Sequence, residues 1–295
     1  MENFEFMLNY IGDQYNNHHQ LCHASNLLGK WYDNRDGKKI SNKQADALFD
    51  TISHYYEYLF ENNQLIGFDE EIISRRVELL NLYYNFFFER RYDNVFSSQS
   101  KFRPTILEEF MFILFRDYVN YIKETFGDTE GHIDSGSAKA YTNLYFSSSD
   151  FKSFVKEPAI EINVKDQDFA IFRNLRLTVN NITKDVRIPV IAIENKTYID
   201  KTMLEGIIST AEKIKTGNPY SMFIAVTENY DVDLKVDPAY SRIDQIYVLR
   251  KSKRKEQWKD IDADVVIRLF KEVKEHIERP WSDVEQKMRT EGIIL

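Results

Sequence analysis

The chain has 295 residues, 47 acidic against 39 basic, for a formal net charge of −8, and 43% of it is hydrophobic. That apolar share supports one large folded domain or two small ones, and the absence of any run of 18 apolar residues excludes a helical membrane span. The charge balance excludes a basic footprint spread over the whole surface, so any nucleic-acid contact has to come from local patches.

A single cysteine, Cys22, excludes an intrachain disulfide framework. The N-terminal stretch MENFEFMLNYIGDQ is acidic and lacks the charged start and apolar centre of a signal peptide. A cytoplasmic protein is therefore expected.

Residues 1–100 read as helical. From Lys43 to Asn62, apolar residues at 45, 48, 49, 52, 55, 56, 59 and 60 form a helical stripe. The pattern repeats from Asp69 to Phe88, where Tyr83, Tyr84 and Phe86 to Phe88 read as core packing. Ser97-Ser98-Gln99-Ser100 is a polar break and a domain boundary in this reading. His18, His19, Cys22 and His23 lack a second pair at zinc spacing. Asp33 to Gly37 resembles a calcium loop with its glycine misplaced and no closing glutamate. Candidate basic patches are Arg75-Arg76, Arg90-Arg91, Lys139 and the run Lys251, Lys253, Arg254, Lys255.

Pro104 opens a strong helix to about Phe126, with Glu108 and Glu109 early in it, as suits a helix N-terminus. Gly127 to Asp150 is polar and Gly/Ser-rich with an aromatic insert, and reads as a loop. Its GHIDSGSAK segment has a lysine two places too late for a phosphate loop. Val164 to Phe172 is a strand-like run with Asp166 and Asp168 at its start. The turn-rich stretch Asn180 to Asp185 follows, then the apolar run Ile188 to Ile193, which ends in Glu194-Asn195-Lys196. A hairpin centred between Ile182 and Thr183 places Asp168 opposite Thr197.

An amphipathic helix is expected at Thr202 to Lys215, stopped by Gly217 and Pro219. Ser221 to Thr227 reads as a buried strand parallel to its predecessor. Arg242 to Leu249 is a further strand. Helices follow at Asp262 to Ile277 and from Ser282, the latter with a Ser282…Glu285 capping box.

The chemistry concentrates at one strand. Alternation puts Glu194 and Lys196 on one face, about 6.6–6.8 Å apart. The hairpin brings a second acid, Asp168 or Asp166, to the same edge. Two carboxylates about 4 Å apart repel by roughly 4 kcal/mol at an effective dielectric near 20. A divalent cation removes that repulsion, and oxygen ligands favour Mg²⁺ or a similar hard ion. A lysine beside it carries charge to a phosphate, which suits metal-assisted phosphodiester hydrolysis.

At these residues the sequence resembles the PD-(D/E)xK nuclease superfamily. Asp168 followed by Glu194-Asn195-Lys196 matches its signature. The strings VKDQDFAIFR and IPVIAIENKTYIDKTMLEG resemble type II restriction endonucleases over roughly residues 104–250. No proline precedes Asp168, which leaves the choice between Asp168 and Asp166 open. The resemblance implies an α/β fold with an αβββαβ core, here behind a helical region at 1–100, the catalytic domain being 101–295. It implies Mg²⁺-dependent cleavage of double-stranded DNA, with metal on Asp168, Glu194 and the Asn195 carbonyl, and Lys196 at the phosphate or the attacking water. A further glutamate, Glu109 or Glu108, is a candidate from the preceding helix. A homodimer or a partner subunit is expected. The alternatives are a repair or junction-resolving nuclease on the same core, or a non-enzymatic α/β binding protein in which Glu194 and Lys196 are a surface ion pair.

Overall fold

In a computed structural model, the described residues are 2–35, 41–90, 92, 95, 102–179, 182–281 and 284–292. The expected boundary at 97–100, residues 36 and 37 of the calcium-like loop, Arg91, the turn residues 180 and 181, and Ser282 lie outside them.

Four helices come first: α1 (Glu2–Asn17), α2 (Cys22–Arg35), α3 (Asn42–Gln64) and α4 (Glu70–Arg90). Ser41 begins α3 with a reciprocal capping box to Gln44, which satisfies donors the first turn leaves open. The aromatic stretch of α4 is core, as expected: Tyr83, Tyr84, Phe86 and Phe87 are all buried. Arg76 overturns one patch. It is 1% exposed, ion-paired to Asp117 at 2.7 Å and bonded to the carbonyls of Leu65 and Ile113. Arg75 faces outward and pairs with Glu78.

The helix α5 (Pro104–Thr125) starts on its proline and is buried along most of its length. It is followed by β1 (Ile133–Ser147), the short α6 (Phe151–Lys156), β2 (Ala159–Val179), β3 (Ile182–Ile199), α7 (Lys201–Gly217), β4 (Met222–Tyr230), β5 (Gln245–Val248) and α8 (Ala263–Glu278). The strands form one sheet in the order β1-β2-β3-β4-β5. The first three pair antiparallel, and β3, β4 and β5 run parallel. From α5 to β4 this is the expected αβββαβ order. The parallel β3–β4 pair follows from its helical crossover, α7.

Three expectations change. First, the region read as a loop contains β1. Its buried face is made of small residues, Ser135, Gly136, Ala138, Ala140 and Thr142, so it shows no apolar alternation. Smallness serves close packing there. A side chain on Gly217, at the end of α7, would strike the backbone of Thr142.

Second, the hairpin closes earlier than its polar composition suggested, with Val179 paired to Ile182. The residues Thr183 and Asp185 are cross-strand partners rather than turn residues. Thr183 meets Thr178 hydroxyl to hydroxyl at 3.1 Å, and Asp185 pairs with Arg176 at 2.9 Å. Polar pairs of this kind hold an exposed ladder together. Third, the last helix reduces, among the described residues, to short helical turns at Val284–Gln286 and Lys287–Glu291.

One apolar core runs from Leu8 in α1 through α5 to Phe169, Ile193 and Val226 on one sheet face, and on to α8. A second, smaller core lies under α7 on the other face. Asp200 caps α7 by accepting from Met203 N–H at 2.8 Å, a contact worth about 1 kcal/mol. It stops β3 and turns the chain just past Lys196. Among the described residues no helix is long and apolar enough to cross a membrane.

Candidate active site

Lys196 stands between two carboxylates. Its Nζ is 2.7 Å from Glu194 Oε1 and 3.6 Å from Asp168 Oδ2. It also donates to the carbonyl of Asn195 at 3.2 Å. The register explains the meeting. Phe169 pairs with Ile193, so Asp168 lies level with Glu194, not with Thr197 as the sequence suggested. The difference is the earlier turn, offset by one residue at the bulge between Ile171 and Phe172. Asp168 Oδ2 also accepts the backbone N–H of Asn195 at 2.7 Å, which ties its carboxylate to β3. Nor does β3 end at the triplet: it continues to Ile199.

The three side chains are partly buried, at 28% exposure for Asp168, 17% for Glu194 and 29% for Lys196. Burial raises the Asp168 pKa, with Glu194 adding to the rise, against Lys196 and the Asn195 N–H, which lower it. Burial works against charge on Lys196, but Asp168 and Glu194 outweigh it, and the net shift is upward. The lysine is therefore a fixed cation across the neutral range. The intervening Asn195 is buried, and among the described residues neither polar atom of its side-chain amide has a partner.

The other candidates are spread out. Asp166 is exposed and sits across from Lys139 on β1, two residues short of the centre. Glu109 is not part of it. At 1% exposure it faces the helical core, where its carboxylate accepts from His23 N–H, Ala24 N–H and Tyr55 O–H at 2.7–3.0 Å. His23 is likewise enclosed, with one ring nitrogen bonded to Thr105 and the other to Tyr83. Of the two glutamates early in α5, Glu108 is the one whose charge bears on Lys196, and it adds to the upward shift less than Asp168 and Glu194 do. Helical geometry decides between the two, because adjacent residues on a helix point about 100° apart.

Beyond Lys196, β3 runs into a cleft of about 700 Å³ between α4, the start of α5 and the segment joining β5 to α8. Thr197, Tyr198, Arg103, Arg254 and Trp258 line it. Two of its lining arginines, the buried Arg250 and the partly exposed Arg103, both pair with the buried Glu228 at 2.9 Å. The Arg250 guanidinium also lies 3.8 Å from the centre of the Trp258 ring. No spacing in the sequence announces this cleft, since its walls come from segments up to 175 residues apart. Of the basic run, Lys251 pairs with Asp262 at 2.5 Å, while Lys253, Arg254 and Lys255 are exposed.

The fold recurs in a solved structure described as "native BbvCI A2B2 tetramer at low resolution". It matches with a TM-score of 0.67 at 19% identity, over 88% of this chain and 95% of that one. At that identity the likeness speaks for the fold. No curated protein matches the chain. A family model described as Bpu10I restriction endonuclease matches residues 99–259, more than half of the 295, a span that holds the hairpin, the acids and the lysine. The chain belongs to the Bpu10I restriction endonuclease family and is a sequence-specific type II restriction endonuclease, a DNA-cleaving enzyme.

Proposed function

We propose that cleavage uses Mg²⁺ held by Asp168, Glu194 and the backbone carbonyl of Asn195, with Lys196 as the cation that meets the phosphate. The observation that carries this reading is the Lys196 ammonium lodged between two carboxylates from neighbouring strands. Those acids already share one cation, and every other donor at the centre is oxygen. Mg²⁺ keeps several waters and takes one or two carboxylates rather than an all-protein cage, which a site of two acids and one backbone carbonyl can supply. When bound, the ion supplies Lewis acidity toward the phosphate and the attacking water.

The chain's own groups do the rest. Asp168 and Glu194 are held in place by the β2–β3 ladder and by the Asn195 N–H. Lys196 donates its charge to the phosphoryl oxygens as negative charge builds in the transition state, the use to which a preorganised cation is best suited. Its raised pKa keeps it protonated while it does so. Glu108, rather than Glu109, is the acid that α5 adds from above. Asp168 is the β2 ligand in preference to Asp166, because its carboxylate is tied to β3 and that of Asp166 is exposed.

Duplex DNA approaches through local cations, Lys139 on β1 and Lys251, Lys253, Arg254 and Lys255 after β5, in spite of the net charge of −8. One centre cuts one strand, so double-strand cleavage calls for a second copy or a partner subunit; the tetrameric description of the structural neighbour supports such an assembly. The test is a digest of a sequenced plasmid by the purified chain, with Mg²⁺ and with chelator. Discrete fragments in Mg²⁺ alone support the reading, with light scattering giving the assembly. Cleavage that persists in chelator, or in a Lys196→Ala variant, overturns it.

A further inference from the structure

Arg254 differs from the other two arginines of the cleft. Arg103 and Arg250 are committed to Glu228. Among the described residues no carboxylate pairs with the Arg254 guanidinium, which lies 4.0 Å from the centre of the Tyr198 ring. Its backbone is fixed as well. Arg254 N–H donates to Asp231 Oδ1 at 2.9 Å, and Ser252 bonds β4 through Tyr230 N–H and the Asn229 side chain. Lys251 turns the chain there at a φ of 48°. A long surface side chain is ordinarily free to sample many rotamers; this one is laid on a ring whose own strand is catalytic.

Its position relative to the centre follows from the ladder. The β3–β4 pairing carries no register shift from Ile191 to Ile199, so Glu194, Lys196 and Tyr198 fall on one strand face. Each step along that face is about 6.6–6.8 Å. Tyr198, the ring on which the guanidinium lies, therefore stands one such step beyond the catalytic lysine, and Arg254 lines the cleft of about 700 Å³ that β3 enters there. In an acidic chain, an exposed cation held ready next to a phosphodiesterase centre suits a polyanion that runs on from the reacting group. Arginine meets phosphate through paired N–H donors in a fixed plane.

We infer that Arg254, stacked on Tyr198, binds the backbone phosphate next to the one that is cut, and so aligns the scissile strand along β3. It is a positioning residue. The inference rests on the proposed catalytic role of Lys196, and it assigns one phosphate to one side chain where the basic run as a whole offers only unspecific attraction.

The test is a walk of neutral phosphates. Duplexes containing the cleavage site, each with one methylphosphonate, are titrated by fluorescence anisotropy in Ca²⁺ against the full chain and Arg254→Gln. On unmodified DNA the variant should bind about tenfold more weakly, with a log–log salt slope smaller by about 0.9. At one position beside the cut, the methylphosphonate should weaken the wild type by a similar factor and leave the variant unaffected. Arg254→Lys, which keeps the charge without the planar stack, should recover part of the loss. Equal sensitivity of wild type and variant at every position overturns the assignment, as does coupling to a phosphate away from the cut. Either result leaves the catalytic reading intact, because that is decided separately by cleavage with Lys196→Ala.

Discussion

Replacing Glu109 by glutamine removes one buried titration and almost nothing else. Burial lifts the Glu109 pKa from 4.5 to about 7, against the hydrogen bonds from Ala24, Tyr55 and His23 that lower it. The folded carboxyl thus holds its proton more tightly than the unfolded one. Its contribution to stability is complete below the unfolded pKa and is lost as pH rises through about 7. Between about pH 5 and pH 8 that loss amounts to about 2.5 kcal/mol. Glutamine has no such titration, and its carbonyl can still accept the two N–H groups at the start of α2. The Tyr55 hydroxyl can turn to accept from the amide. Urea unfolding of both proteins at the two pH values measures the effect. Relative to wild type, Glu109→Gln should gain about 2.5 kcal/mol on going from the acid to the alkaline condition. His23, whose pKa is depressed to about 3 by burial, titrates in the opposite sense, losing stability as pH falls below its unfolded value. It is present in both proteins and cancels in the difference. A difference that does not change with pH refutes the reasoning about burial. A folded Glu109→Gln that no longer cleaves DNA refutes its assignment as an anchor of α2.

Four further outcomes follow from the centre and its surroundings. Glu194→Ala and Lys196→Ala should each lower cleavage by at least about 100-fold while circular dichroism and melting stay near wild type, since neither truncation opens a core cavity. Calorimetric Ca²⁺ titration should show affinity lost in Asp168→Ala and kept in Asp166→Ala; the reverse pattern would exchange the two acids. DNA affinity should rise when Ca²⁺ is added, because two carboxylates around one lysine leave a net negative charge that repels a phosphate until a metal ion joins them, and an anisotropy titration unchanged by Ca²⁺ would show that this coupling is absent. Reversing the charge of Lys253 and Lys255 should weaken binding to cognate and unrelated duplexes alike, as backbone contacts do; a loss confined to the cognate site would place them at base edges instead.

The sequence by itself determined the local features. A β-branched run leading into Glu-Asn-Lys, an acid within the preceding strand rather than at its expected start, helical stripes at 43–62 and 202–215, and a proline at the start of α5 each depend on neighbours a few residues away. Periods of two and of 3.6 record them directly. Tertiary structure decided what depends on which surfaces meet. The strand β1 could not be read because its buried face is small rather than apolar, and that requirement comes from the close approach of α7. The register was set not by the most turn-like residues but by cross-strand pairs that use Thr183 and Asp185 as strand residues, and that moved Asp168 from Thr197 to the level of Glu194. Whether Glu109 could reach the strand end turned on the rotation of one helix, which buries it in the interior instead. Arg76 illustrates the same rule for charge: its partner Asp117 is 41 residues away, so a basic pair in the sequence became a buried ion pair in the fold. Burial and long-range pairing are properties of the packed chain, and no spacing along the sequence encodes them.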